Sequence, residues 1–228
     1  LARLRSSIRM KSYQDEIKTH NATLEKKVRE RTWELAESRR DLILRLANVV
    51  EYKNKDMGSH GLKVGCYSRV IAESLGLENL FVERLFLAGP LHDIGLIVIA
   101  EKILWKHDTL TFDEWDLLRQ HCIIGHKILS QQIKGVSLFH SFAGGKSNIG
   151  GHPDRNPISR MAASVALTHH EWWNGKGYPK GLKGEEIPLE SRIAALADAY
   201  DELTSDSPHR KALSENEALT LIRQKIGE

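Results

Sequence analysis

The first fifty residues contain neither proline nor glycine and are rich in Arg, Lys, Glu and Leu. Nothing in that stretch interrupts a helix, and its composition favours one. Ile17 and Leu24 are seven residues apart, and Val28, Leu35, Leu42 and Val49 then recur every seven. The half-heptad positions Arg31, Ser38 and Arg45 are polar. This pattern predicts one long helix over residues 1–50 with a narrow apolar seam. Two forms stay open: a parallel coiled coil, which would make the chain a homodimer, or an amphipathic helix packed on its own domain.

From Glu51 onward the texture changes. Helical periodicity occupies 60–76, 79–93, 112–133, 157–172, 190–204 and 214–226, separated by short Gly/Pro/Asp stretches. Ser214 followed by Glu217 reads as a capping box opening the last helix. No alternation of apolar and polar residues is long enough for a strand, except Leu96–Ile99, which reads equally as a buried turn. Residues 51–228 are therefore expected to form an all-α domain. Gly144–Pro157, with four Gly and two Pro, is its one long irregular piece, and a loop of that length is usually functional or disordered.

Composition narrows the function classes. A chain of 228 residues suits one sizeable core with an appendage. A net charge of +3 gives no reason to expect a DNA-binding surface. No apolar stretch approaches the ~18 residues of a membrane span. The chain begins at Leu1 without a signal peptide, which reads as a cytoplasmic piece of a longer protein. Two cysteines, Cys66 and Cys122, provide neither a disulfide framework nor a Cys-based zinc site. Histidine is the unusual residue: there are eleven, and eight fall between His92 and His170.

The histidines come with carboxylates. His92-Asp93 follows the apolar run Leu85, Phe86, Leu87 and Leu91, and His169-His170 follows Ala162, Val165, Ala166 and Leu167. His60 has Asp56 one helical turn before it, and His121 stands four residues after Leu117. Asp198 interrupts the greasy run Ile193–Ala197, where an acid must be paired, protonated or metal-bound. His nitrogens with carboxylate oxygens and no thiolate suit Fe, Mn or Zn in water-bearing sites. More than four such ligands, one of them an Asp able to bridge, suggest two metals that activate a shared water and clamp a phosphoryl group. Taken singly, His60 and His121 read first as ordinary surface or satisfied core histidines, and Asp198 reads also as a salt-bridged core acid or a helix cap. His107, His126, His140 and His152 are read as non-ligands.

His92-Asp93-Ile94-Gly95, His169-His170-Glu171, Gly175-Lys176-Gly177-Tyr178-Pro179 and the run from Asp198 to Asp206 together resemble the HD-GYP family of the HD hydrolase superfamily. The resemblance covers Glu51 to the C-terminus. It implies an HD-superfamily helical bundle that cleaves cyclic di-GMP to a linear dinucleotide or GMP, with a two- or three-metal centre of iron or manganese. By position, His60, His92, Asp93 and Asp198 would hold one metal. Asp93 would bridge to a second held by His121, His169 and His170, and Asp56 stands where a third can be recruited. His92, Asp93 and Tyr178 are the implied catalytic residues, and Tyr178, Lys176, Gly177 and Arg210 the implied substrate contacts. Residues 11–50 resemble the helix that joins a phosphoreceiver domain to this domain in response regulators; the receiver itself lies outside the chain. The sequence departs from the family at Leu96 and Ser207, where phosphate-binding cations are usual, and at Asn54. The rival expectation is a weakly active or inactive domain that binds a cyclic dinucleotide or a protein partner and relays a signal.

Overall fold

A computed structural model describes residues 2–53, 59–106, 108–131, 156–206 and 211–227. Asn54, Asp56, most of the irregular 144–157 segment, and Ser207 and Arg210 lie outside the described residues, as do His107, His140 and His152. The chain divides into two units, Leu1–Leu42 and Ile43–Glu228. The first unit is helical along its described length. Its seam residues Ile17, Leu24, Val28, Leu35 and Leu42 are exposed.

The described residues form eight α-helices: α1 (Ala2–Lys53), α2 (His60–Ser74), α3 (Asn79–Ala88), α4 (Glu101–Leu104), α5 (Phe112–Ser130), α6 (Pro157–Thr168), α7 (Leu189–Thr204) and α8 (Glu215–Gln224). They include no strand, only a single antiparallel bridge between Asn174 and Lys183. None of these helices is long and apolar enough to cross a membrane. Helix starts follow local chemistry. Thr111 with Glu114 and Ser214 with Glu217 each form a capping box. The Asn156 side chain accepts from the amides of Ile158 and Ser159, ahead of Pro157.

One departure from the periodicity, and the outcome of one open alternative, bear on the site. The helix expected over 79–93 stops at Ala88, and Gly89–Leu91 and Ile94–Val98 are 3₁₀ turns. Pro90 cannot donate to Phe86, which ends the α-helical ladder there. His92-Asp93 thus sits in a break between turns rather than on a helix end. Leu96–Ile99 is a turn and not a strand.

Two apolar clusters hold the second unit together. One joins Ala47 and Val50 from the end of α1 to Ala88, Leu91, Ile94, Leu96, Ile99, Ile103 and Ala162. The other joins Ala72, Val82, Leu85, Val165, Ile193 and Ala194. Each fully buried Leu or Val contributes about 1.5–3 kcal/mol. Between the turn and α5 the backbones themselves touch: a Cβ on Gly95 would overlap the carbonyl of His121 and meet the Gly125 amide nitrogen at 2.7 Å. Only glycine lets the chain after Asp93 lie so close to the helix that carries His121. Gly95→Ala should therefore destabilise the domain by about 3 kcal/mol, read as a shifted midpoint in urea unfolding. An unchanged midpoint would contradict this packing.

Candidate metal centre

Five segments of the second unit converge on one cluster. The first turn of α2 supplies His60, the break after α3 supplies His92 and Asp93, and α5 supplies His121. The turn just after α6 supplies His169 and His170, and α7 supplies Asp198. The imidazoles form a continuous chain, with ring centroids 5.2 Å apart for His60–His92, 5.1 Å for His92–His169, 5.4 Å for His121–His169 and 4.1 Å for His169–His170. Asp93 lies among them. Its Oδ2 is 3.4 Å from His92 Nε2, and its Oδ1 is 3.3 Å from His121 Nε2 and 3.5 Å from His169 Nε2. Asp198 Oδ1 is 3.1 Å from His60 Nε2 and 3.8 Å from His92 Nε2.

The far sides of four of the rings are held. Nδ1 of His92 donates to the Gly89 carbonyl at 2.9 Å, that of His121 to Leu118 at 2.7 Å and that of His169 to Val165 at 3.0 Å. His60 Nδ1 donates to Asp201 Oδ2 at 2.7 Å. A proton kept on Nδ1 leaves Nε2 as the inward donor, the usual arrangement of metal-binding histidines. His92 Nε2 is buried and makes no hydrogen bond, a costly state for a polar nitrogen that a cation would relieve. Two donor groups result: Asp93 with His121, His169 and His170, and His60 with His92 and Asp93. Asp93 belongs to both, so the residues present fit a pair of cations sharing one carboxylate.

The electrostatics agree. Burial alone would lower His60, but the hydrogen-bonded carboxylates of Asp198 and Asp201 outweigh it and push its pKa up to about 10. Burial likewise opposes, and Asp93 above all overcomes, a rise of His121 to about 11. Asp93 would be raised by burial, yet His92, His121 and His169 hold it well below the usual carboxylate range. His170 is pushed down to about 3, by burial first and then by neighbouring His169, and is neutral and ready to donate. Burial also raises the Tyr178 phenol, which stays protonated.

Three supporting residues drew no individual role from the sequence. Asp201 is buried and fixes His60; Lys63 Nζ, at 3.2 Å, holds Asp201 in turn. Its signal was its position three residues after Asp198, on the same face of α7. Buried Glu171 accepts from the amides of Lys180 at 2.7 Å and Leu182 at 2.9 Å, closing the loop that carries Tyr178. Glu51, near the end of α1, accepts from the amides of Ser59 at 2.8 Å and Gly61 at 2.6 Å, on either side of His60.

Two residues further on, Lys53 Nζ donates to the carbonyls of Ile97 and Ile99, both at 2.6 Å, and Leu96 at 3.3 Å. One helix end thus grips both the His60 segment and the turn after Asp93. Tyr178 stacks on His170 at 4.7 Å, whereas Lys176 is exposed on the loop. A Cβ on Gly177 would overlap the Trp172 amide nitrogen. His126, read as a non-ligand, bonds the Ala163 carbonyl at 3.0 Å.

A helical domain that gathers histidines and aspartates from several segments around one shared carboxylate defines a class of metal-site proteins. The HD domain family model matches residues 44–141 and 148–228, and the chain belongs to that family as an HD-GYP member. A Thermotoga maritima protein named cyclic di-GMP phosphodiesterase is 37% identical over 187 residues, 82% of this chain and 45% of that protein. The cyclic di-GMP phosphodiesterase response regulator RpfG of Xanthomonas campestris is 31% identical over 226 residues, 99% of this chain and 54% of that protein. A 3'3'-cGAMP-specific phosphodiesterase of Vibrio cholerae is 32% identical over 170 residues, 75% of this chain and 28% of that protein. The chain spans about half the length of the first two. A solved HD-GYP-type structure from Bdellovibrio bacteriovorus shares the fold, with a TM-score of 0.52 at 20% identity, over 74% of this chain and 47% of that one.

Because a cation must displace protons held on His60 and His121, Mn²⁺ affinity should rise as pH rises from about 6 to about 8. Asp201→Asn should weaken it about tenfold or more. Titration calorimetry reads both effects, and a flat pH profile together with unchanged affinity in the variant would contradict the donor assignment.

Proposed function

We propose that the chain is a metal-dependent phosphodiesterase that hydrolyses cyclic di-GMP to the linear dinucleotide or GMP. The observation that carries this reading is Asp93, whose two oxygens face two different sets of histidines. Residues 51–228 would be the catalytic domain, and residues 1–50 the helix through which it pairs with a second copy and connects to a receiver in a response regulator. His60, His92, Asp93 and Asp198 would hold one metal, and Asp93, His121, His169 and His170 the other, with Asp56 the candidate for a third. Donors without thiolate suit iron, manganese or zinc, and the family resemblance favours iron or manganese.

Metals held by these residues would supply an acidified water and offset the charge that develops on the phosphoryl oxygens. The chain's own residues orient the rest. The backbone acceptors behind His92, His121 and His169 keep those rings fixed, so little reorganisation is needed as charge builds. The Tyr178 phenol, kept protonated, can donate to a phosphate oxygen, and Lys176 and Gly177 on the same loop, with Arg210, would contact substrate.

One observation favours a second reading. Leu96 is buried in the apolar cluster with Ala47 and Val50 and offers no charge to a phosphate, which would suit a slow enzyme or a receptor.

Metal analysis of anaerobically purified protein, paired with a chromatographic assay of cyclic di-GMP turnover after adding Mn²⁺ or Fe²⁺, tests the proposal. Two or more metals with turnover are expected, with turnover abolished and metal content reduced in Asp93→Ala; normal metal content in that variant would overturn the site assignment. Metals and nucleotide binding without turnover would favour the receptor. Deleting residues 1–42, which spares the Ala47 and Val50 contacts, should give a monomer by light scattering, and a persistent dimer would reject the pairing helix.

A further inference from the structure

We infer that Arg119 anchors the substrate phosphate that is not undergoing hydrolysis, so that the site recognises a dinucleotide rather than a lone phosphodiester. This inference rests on the phosphodiesterase reading above. Within the cluster, His60, His92, His121, His169 and Asp198 are buried, while Asp93 and His170 are partly exposed. The centre is therefore open on the side of His170, which is where Tyr178 stacks with its ring 4.7 Å away. The Arg119 guanidinium lies over the same Tyr178 ring at 5.3 Å and over the Trp115 ring at 5.9 Å. It stands one aromatic ring out from a candidate metal ligand. Arg119 also precedes His121 by two residues, so one rigid helix positions both the cation and the ligand.

Guanidinium chemistry suits the role. Stacking on aromatic faces leaves the planar N–H edge available to an anion, and that edge matches a phosphate bidentately. Asp116 Oδ1 is 3.6 Å from Arg119 Nη1, but both side chains are about half exposed, at 46% and 50%. A pair of that kind is worth little and yields to a charged ligand. Trp115, itself 44% exposed, offers a face on which a purine can stack beside the bound phosphate. A cyclic dinucleotide carries two phosphates in one ring. With one at the metal centre, the other meets the surface that Arg119 and Trp115 share.

The test compares Mn²⁺-loaded wild type, Arg119→Ala and Arg119→Lys, as full chains, on cyclic di-GMP and on bis(p-nitrophenyl) phosphate, which has a single phosphate. For Arg119→Ala the KM for cyclic di-GMP should rise about ten- to a hundredfold, with manganese content unchanged and a far smaller change on the single-phosphate substrate. Lysine should restore part of the loss. Calorimetric binding of cyclic di-GMP gives the same comparison where turnover is slow. Equal losses on both substrates, or no change on either, would overturn the role of Arg119 alone. A wild type that cleaves bis(p-nitrophenyl) phosphate yet neither binds nor cleaves a cyclic dinucleotide would overturn the functional reading and this inference with it.

Discussion

A carboxylate set among imidazoles imposes a demand that most of the second unit is organised to meet. Asp93 is largely buried, and an unpaired charge there would cost several kcal/mol. It is tolerated because His92, His121 and His169 crowd its two oxygens. Those rings come from three separate segments, so the carboxylate cannot be satisfied until α5, α6 and the turn after α3 have all packed. Gly95 permits the closest of these approaches. The same crowding that stabilises the ionised acid in the absence of a cation creates the cavity of donors that a cation would fill.

The ligands sit mainly at helix ends and turns, where backbone polar groups need partners from elsewhere. Glu51 satisfies the amides around His60, and Lys53 satisfies the carbonyls of the turn after Asp93. Glu171 does the same for the loop behind Tyr178. Each of these side chains removes freedom from a segment bearing a candidate ligand or substrate contact. Preorganisation of this kind is what electrostatic catalysis at a phosphoryl group requires. It is equally what distinguishes a metal centre from a chance gathering of histidines, in which the outer nitrogens would be left to solvent.

Much of the fold was legible because its signals are local. The unbroken composition of residues 1–50, the helical periods at 60–76 and 190–204, and the Ser214–Glu217 capping box all depend on neighbours a few residues away. α3 ends earlier than its periodicity suggests, because the apolar pattern carries on through Gly89 and Pro90, where the hydrogen-bond ladder stops. At the site, the doublets His92-Asp93 and His169-His170 were conspicuous as pairs, and Asp198 as an acid in an apolar run. Asp201 drew no role because its partner His60 lies 141 residues away. Lys53 and Arg119 were equally silent: a lysine that caps a turn more than forty residues later, or an arginine that stacks on a distant loop, looks in sequence like any charge on a solvated helix face.

The central claim is that Asp93 is shared between two cations. Electron paramagnetic resonance of the Mn²⁺-loaded protein tests it most directly, because two manganese ions bridged by one carboxylate are magnetically coupled. The account predicts the broad multiline spectrum of a coupled pair, replaced in Asp93→Ala by the signal of an isolated ion or by none. A simple six-line spectrum from wild-type protein carrying two equivalents of manganese would contradict it, since it would place the two ions apart and leave Asp93 with only one.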